Sequence, residues 1–376
     1  MTDDETSRDG GATGPGERSR DGGRGRRGAP RRAVVWGAVG ALVLAAVGFG
    51  ALYLRLDGNI AGIDIEAALG GDRPADTPGG SMDILVLGSD TRSGGNDRYG
   101  RDDGTARADT AMIVHVNEAR DRMGIVSVPR DTLVERPECA RTDGGTAPPA
   151  RRAMFNTAYE IGGPVCAVKT VESMTGIRMD HYVEIDFIGF EKVVDALDGV
   201  PITTTEPIED EDSGLRLDAG RHTLDGEQAL ALVRTRKSVG NGSDLARIDL
   251  QHVFVRAFVD RVGELGVLSD PGRLYRVADT ATSALTTDAD LASTADLVRL
   301  AETLEGIDSE DVRLVTLPVR QSAADPNRVV PIGERTERIW AAFRADRPIP
   351  ESVTEGSAAE RAEGAQDVGK AGRRAE

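Results

Sequence analysis

The chain has 376 residues, and its 63 acidic side chains outnumber 46 basic ones for a net charge of −17. A length of this order allows one large core, while the excess of acid excludes a protein drawn to nucleic acid by long-range attraction. His115, His181, His222 and His252 are scattered and stand apart from Cys139 and Cys166, so zinc hydrolysis is not expected.

Residues 1–32 consist mainly of Gly, Arg, Asp, Ser and Thr and have almost nothing to bury, which predicts a disordered leader. The leader holds eight Arg against six Asp and Glu, so −19 falls on residues 33–376. Val34 to Leu54 is a run of 21 uncharged, mostly apolar residues, long enough as a helix to span a bilayer, and a single transmembrane helix is expected over 33–55. Arg24, Arg26, Arg27, Arg31 and Arg32 precede it and only Arg55 follows closely, which keeps the N-terminus in the cytoplasm and puts the rest outside. The absence of a clear small-x-small site after the run favours an anchor over a cleaved signal peptide.

Residues 56–81 are rich in Gly, Pro and Asp and read as an extracytoplasmic linker to one folded domain over 82–345. Strands are expected at Ile84 to Leu87, Ala111 to Val116 and Gly124 to Val128, the last two joined as a hairpin through Asn117 to Met123. Cys139 and Cys166 follow on the oxidising side of the membrane and are expected to be joined. Asn156 to Met174 reads as a helix, Tyr182 to Asp186 as a strand, and Phe190 to Leu197 as a helix stopped by Gly199. Next come a strand at Pro201 to Thr205 and a helix from Asp225 to Arg234, with Asp225 as a possible cap. Apolar spacing from Ile248 through Leu265 predicts a long helix over Ala246 to Leu265. Helices near Gly272 to Leu285 and Leu291 to Leu304 lead to a strand at Val312 to Leu317. This order implies a layered α/β domain, a central mixed sheet covered by helices. The Ala/Glu/Arg/Gly tail over 346–376 should be disordered.

The chemistry gathers where strands meet charge. Asp90 lies just past one apolar strand and Asp109 just before the next, so neighbouring strands would bring both carboxylates to one end of the sheet. Mg²⁺ commonly takes one or two carboxylates together with substrate phosphates and water; either Asp alone could equally cap a turn. Arg130 and Asp131 follow a third strand, Arg234, Arg236 and Lys237 end a helix, and Asp244 and Arg247 open the next. Guanidinium groups bind phosphate bidentately and stay charged, although cations at a helix C-terminus also complement its dipole. Asp244 could orient these arginines or cap the long helix. Five phenylalanines, Phe155, Phe187, Phe190, Phe254 and Phe258, are candidates for an apolar channel between the sheet and one helical layer, though core packing suits each of them.

The blocks Asp83 to Arg92, Arg107 to Val116, Val126 to Asp131, Asn156 to Gly163, Thr175 to Gly199 and Leu224 to Gln251 together resemble the LytR-CpsA-Psr family of cell-envelope proteins, typical of Gram-positive bacteria. The resemblance implies a phosphotransferase outside the membrane that moves a glycopolymer, such as teichoic acid or arabinogalactan, from a polyprenyl diphosphate carrier onto a peptidoglycan hydroxyl. It matches Asp90 and Asp109 to magnesium-binding carboxylates, with Arg92 and Arg107 in the same two motifs. Arg130, Arg234, Arg236 and Arg247 match arginines that hold the diphosphate, and Gln251 a glutamine beside them; Asp131 and Asp244 also fall on motif positions. Asp90 is the first candidate for a base that deprotonates the acceptor, and Asp131 the second. Met154 and Phe155 stand where many relatives place a Lys, and Leu250 where they often place an Arg. A hydrolase of the lipid diphosphate and a non-catalytic envelope-lipid binder are the competing readings.

Overall fold

The computed structural model describes residues 61–353, apart from Asp72, Pro78 and the segments 91–107 and 236–243. The leader and the apolar run Val34 to Leu54 lie outside the described residues, as does the tail from residue 354. Among the described residues no helix is long and apolar enough to cross a membrane.

Seven strands form one mixed sheet: β1 (Ala61–Ile63), β2 (Met82–Ser89), β3 (Ala108–Val116), β4 (Met123–Ser127), β5 (His181–Ile185), β6 (Leu285–Asp288) and β7 (Val312–Thr316). Their spatial order is β1-β6-β5-β2-β3-β4-β7. The pairs β2–β3, β3–β4 and β5–β6 are antiparallel, whereas β1–β6, β2–β5 and β4–β7 are parallel.

The helices are α1 (Ile65–Leu69), α2 (Asn156–Thr175), α3 (Phe187–Ala196), α4 (Gly226–Arg234), α5 (Asp244–Leu265), α6 (Pro271–Ala284), α7 (Thr294–Leu304) and α8 (Gly333–Arg344). They explain why the central strands read as unbroken apolar runs. Successive residues of a strand face opposite sides, and here both sides are covered. Leu85, Leu87, Ile113 and Val126 join a core with Val168 and Val171 of α2 and Trp340 and Phe343 of α8. Ile84, Met112, Val114 and Ile125 join another with Val255 and Val259 of α5 and Leu300 and Leu304 of α7. A third core joins α3, α4 and α5 to two small antiparallel pairs, Val200–Thr204 with Gly220–Leu224 and Ile208–Asp210 with Leu215–Leu217.

Three expectations change. The domain begins by Ala61, not Met82: β1 pairs with β6, Asp64 caps α1 by accepting from Ala67 N (2.8 Å), and Arg73 forms a buried ion pair with Glu172 at 2.6 Å. A three-residue strand is too short to show a period, and its partner, with Ala61 opposite Thr286, lies at the far end of the chain. At the C-terminal side, Ile349 and Val353 are buried in the first core, so the fold runs past Asp346. The helix expected near Gly272 to Leu285 is Pro271–Ala284, and Leu285, its C-cap, also starts β6, a strand the sequence pattern does not predict.

Cys139 and Cys166 form a disulfide with Cα atoms 5.5 Å apart. It ties the short hairpin Cys139–Ala140 with Thr146–Ala147 to α2 just beyond a break at Gly162 and Gly163, where Gly163 adopts φ +59° before Pro164.

Candidate active site

The antiparallel register of β2 and β3 runs in step from Met82 opposite Val116 to Gly88 opposite Thr110, then slips so that Ser89 faces Ala108. Asp109 is therefore the extra residue of a β-bulge, a device that re-aims a side chain and takes a backbone group out of the ladder. Asp90 follows Ser89 directly, so the two sequence-predicted carboxylates arrive at one end of the sheet.

Neighbouring elements converge on the bulge. Arg130, just past β4, donates from Nη1 to Asp109 Oδ1 at 2.7 Å. Arg247, in the first turns of α5, donates from Nη2 to the Asp109 backbone carbonyl at 3.1 Å, which gives that carbonyl a partner. The Arg247 residue is only 4% exposed, and a buried guanidinium is costly unless anions or carbonyls surround it. Gln251 lies one turn further along α5 and donates from Nε2 to Thr110 Oγ1 (3.0 Å) and to the Val233 carbonyl (3.3 Å). It thereby ties α5 to both the sheet and α4. Arg234 is the last residue of α4, whose start is fixed by a capping box between Asp225 and Gln228; its guanidinium lies 4.7 Å from the Phe187 ring centroid, within cation–π range.

Beside these groups opens a cavity of about 400 Å³ between the sheet and helices α3, α4 and α5. Val86, Met112, Phe187, Phe190, Leu230 and Phe254 supply apolar wall, and Asp109, Arg234, Arg247 and Gln251 the polar side. Phe190 and Phe254 pack with ring centroids 5.1 Å apart. Of the five candidate phenylalanines, Phe187, Phe190 and Phe254 line this space, Phe155 belongs to the core shared with α2, and Phe258 packs against the third core.

Under the site, His252 is fully enclosed; its Nε2 lies 2.8 Å from Ser127 Oγ on β4. Burial, helped by the nearby Arg256 charge, lowers its pKa to about 3, so the imidazole is neutral at ordinary pH.

The remaining predicted residues fall elsewhere. Asp131 stands outside the cavity wall, 3.1 Å from Arg328 Nη1 and 3.7 Å from Arg130 Nε. Asp244 opens α5, while Arg92, Arg107 and Arg236 lie outside the described residues. Leu250 is buried in the third core and is not part of the cavity wall. Sequence reading did not single out Thr110, Asp212, Ser213 or Asp186. Asp186 carried a signal, since an Asp before a helical run is a natural N-cap, and it accepts from Gly189 N at 2.7 Å. Asp212 and Ser213 reach the cavity from the turn of a small hairpin with no periodic signal.

The LytR_cpsA_psr family model matches residues 52–343. The chain belongs to this family. It is 30% identical over 311 residues to the cell wall biosynthesis protein LcpA of Corynebacterium glutamicum, an alignment that covers 75% of this chain and 58% of that protein. It is 35% identical over 187 residues to the polyisoprenyl-teichoic acid–peptidoglycan teichoic acid transferase TagT of Bacillus subtilis, covering 48% of this chain and 52% of the relative. The chain thus spans about half the length of these curated relatives. Among solved structures, TagT bound to LIIa-WTA matches with TM-score 0.54 at 26% identity, over 73% of this chain and 96% of that one. The LytR-Csp2A-Psr enzyme from Actinomyces oris matches with TM-score 0.57 at 24% identity, over 76% and 96%, and shares the fold.

Proposed function

We propose that this protein is a membrane-anchored, extracytoplasmic phosphotransferase that moves a phosphoglycopolymer from a polyprenyl diphosphate carrier to a peptidoglycan hydroxyl. The observation that carries the reading is the junction of an apolar cavity with a buried guanidinium. A lipid diphosphate has the matching form, an apolar tail joined to a concentrated negative charge. At about 400 Å³ the cavity has the size of a ligand site. The names of LcpA and TagT, and the bound form of TagT, support the same reading.

In this reading the first isoprenyl units lie against Phe187, Phe190 and Phe254, and the diphosphate meets Arg247, Arg234 and Arg130. Phosphoryl transfer depends chiefly on positioning and on neutralising charge over the phosphate oxygens, which fixed guanidinium groups supply. The acceptor oxygen attacks the phosphorus nearest the glycan, its proton passes to a carboxylate, and the bond to polyprenyl phosphate breaks. Asp90 is the residue assigned to take that proton. Asp131, already engaged by two arginines, is assigned to orientation.

The donor set fits magnesium. Among the described residues no three His, Cys, Asp or Glu side chains form a metal cage, whereas Asp90 and Asp109, at one end of the sheet on neighbouring strands, suit an ion that shares its coordination with phosphate oxygens and water. When bound there, Mg²⁺ would neutralise charge on the diphosphate oxygens.

The test is to incubate the full chain with a synthetic polyprenyl diphosphate glycan, peptidoglycan oligomers and magnesium, and to weigh the products. Conjugate carrying one phosphate, with polyprenyl phosphate released, is expected. It should be lost on chelation, restored by added magnesium, and strongly reduced in Asp90→Asn. Free polymer phosphate without conjugate would make the protein a hydrolase, and wild-type rates in Asp90→Asn would remove the assigned base.

A further inference from the structure

Arg328 lies far from the motifs in sequence, in the turn between the paired segments Val319–Gln321 and Val329–Pro331. The backbone brings it to the site. Thr132 bridges to Val329, and Val329 N donates to the Asp131 carbonyl at 3.3 Å, so this hairpin is docked on the segment that follows β4. Within the turn, Arg328 N donates to the Asp325 carbonyl (3.0 Å) and Asn327 N to Asp325 Oδ1 (2.9 Å), fixing where the Arg328 side chain starts.

The two oxygens of Asp131 then face two different arginines. Oδ1 accepts from Arg328 Nη1 at 3.1 Å, and Oδ2 lies 3.7 Å from Arg130 Nε. Arg130 in turn donates to Asp109 Oδ1 at 2.7 Å. The result is a line of alternating charge, Arg328, Asp131, Arg130 and Asp109, running from the outer hairpin to the bulge. These side chains are 23–31% exposed, and ion pairs that wet contribute little to stability. Their effect is on geometry. A carboxylate released from Arg328 would be free to take Arg130 into a bidentate pair of its own and draw it from Asp109.

We infer that Arg328 is a positioning residue: by holding one oxygen of Asp131, it keeps the Arg130 guanidinium directed at Asp109 and the diphosphate. The inference rests on the transferase reading for its kinetic consequence, but the orientation of Arg130 can be measured without any substrate.

The experiment uses the full chain in wild-type, Arg328→Ala, Arg328→Lys, Asp131→Asn and Arg328→Ala/Asp131→Asn forms. Solvent exchange of the Arg130 Nε–H is read by NMR, the signal being assigned by its loss in Arg130→Lys, and turnover of the diphosphate lipid is read alongside. In Arg328→Ala, exchange should slow, because the freed Asp131 takes the Arg130 Nε–H into its own pair, and kcat should fall, each about tenfold, with Tm unchanged and Lys restoring most of the loss. In the Asp131→Asn background the Arg328 change should add nothing, because the two residues act as one unit. An Arg130 signal indifferent to Arg328, or losses that multiply in the double variant, would overturn the inference. If wild type turns over no lipid, the transferase reading fails, while the exchange measurement still decides the role of Arg328.

Discussion

The β2–β3 pair sets an aspartate against a basic side chain at both of its ends, and the two ends are built to opposite effect. At one, Asp83 at the start of β2 is wholly buried, and its Oδ1 lies 2.8 Å from His115 Nδ1. The other ring nitrogen of His115 lies 3.1 Å from Asp346 Oδ1, and its ring stacks on Phe343 with centroids 4.6 Å apart. At the other, Asp109 and Arg130 form a partly exposed pair beside a cavity of about 400 Å³, whereas the closed end keeps a recess of only about 70 Å³. An acid–base pair sealed by its partners holds the fold together. The same chemistry left open toward a cavity is available to a ligand.

The sharpest way to break this contrast is to exchange its consequences. Arg130→Ala should lower turnover by about 10²- to 10³-fold, the scale for losing one fixed donor to transition-state charge, with almost no change in Tm. Asp83→Ala should do the reverse. Breaking a buried pair costs about 3 kcal/mol or more, so its urea midpoint should drop while the folded fraction keeps its kcat. If Arg130→Ala proves the less stable of the two, the assignment of the ends is wrong.

The two ends should also part company with pH. Burial works against the His115 imidazolium, but Asp83 and Asp346 outweigh it and hold its pKa above the ordinary value. Its contribution to stability is complete below the unfolded value near 6.5 and is lost as pH rises through the raised folded value. His181, against Asp288, acts in the same sense. His252, under the open end, acts oppositely: the unfolded chain takes up a proton below about 6.5, the folded one only near 3, so stability falls as pH falls through that window. Urea melts across pH should show His115→Gln flattening the alkaline limb and His252→Gln the acid limb. Either substitution flattening the other limb would contradict the assignment. The smallest effect is expected from Phe187→Leu. It removes the aromatic face under Arg234 while keeping apolar wall, and should reduce kcat/KM about fivefold, the scale of a partly exposed cation–π contact. An unchanged kcat/KM would leave Phe187 as wall alone.

Much of the open end was legible in sequence because its residues sit where apolar runs meet charge: Asp90, Asp109 and Arg130 each flank a strand buried on both faces. The long apolar spacing of α5 and the Asp225 cap of α4 placed Arg247, Gln251 and Arg234 on helices. Their targets were not legible. A one-residue register slip decides that Arg247 meets the Asp109 carbonyl, and no local pattern marks it. β1 and β6 are short and pair across most of the chain, and Arg328 reaches Asp131 only through a hairpin docked by tertiary contacts. The closed end escaped notice because His115 reads as one polar residue in an apolar strand, and its partner Asp346 lies where the composition suggests a tail.

The claim that the open end holds a lipid diphosphate is tested most directly by photo-crosslinking. The full chain would be labelled with a polyprenyl diphosphate bearing a photoreactive group in its first isoprenyl unit, and the modified peptides mapped. Label on α3, α4 and α5 around Phe190, Leu230 and Phe254, displaced by unlabelled polyprenyl diphosphate and weakened in Arg247→Ala, is the result expected. Label on the closed end near Phe343 and Ile349, or label on the cavity that Arg247→Ala leaves unchanged, would contradict it.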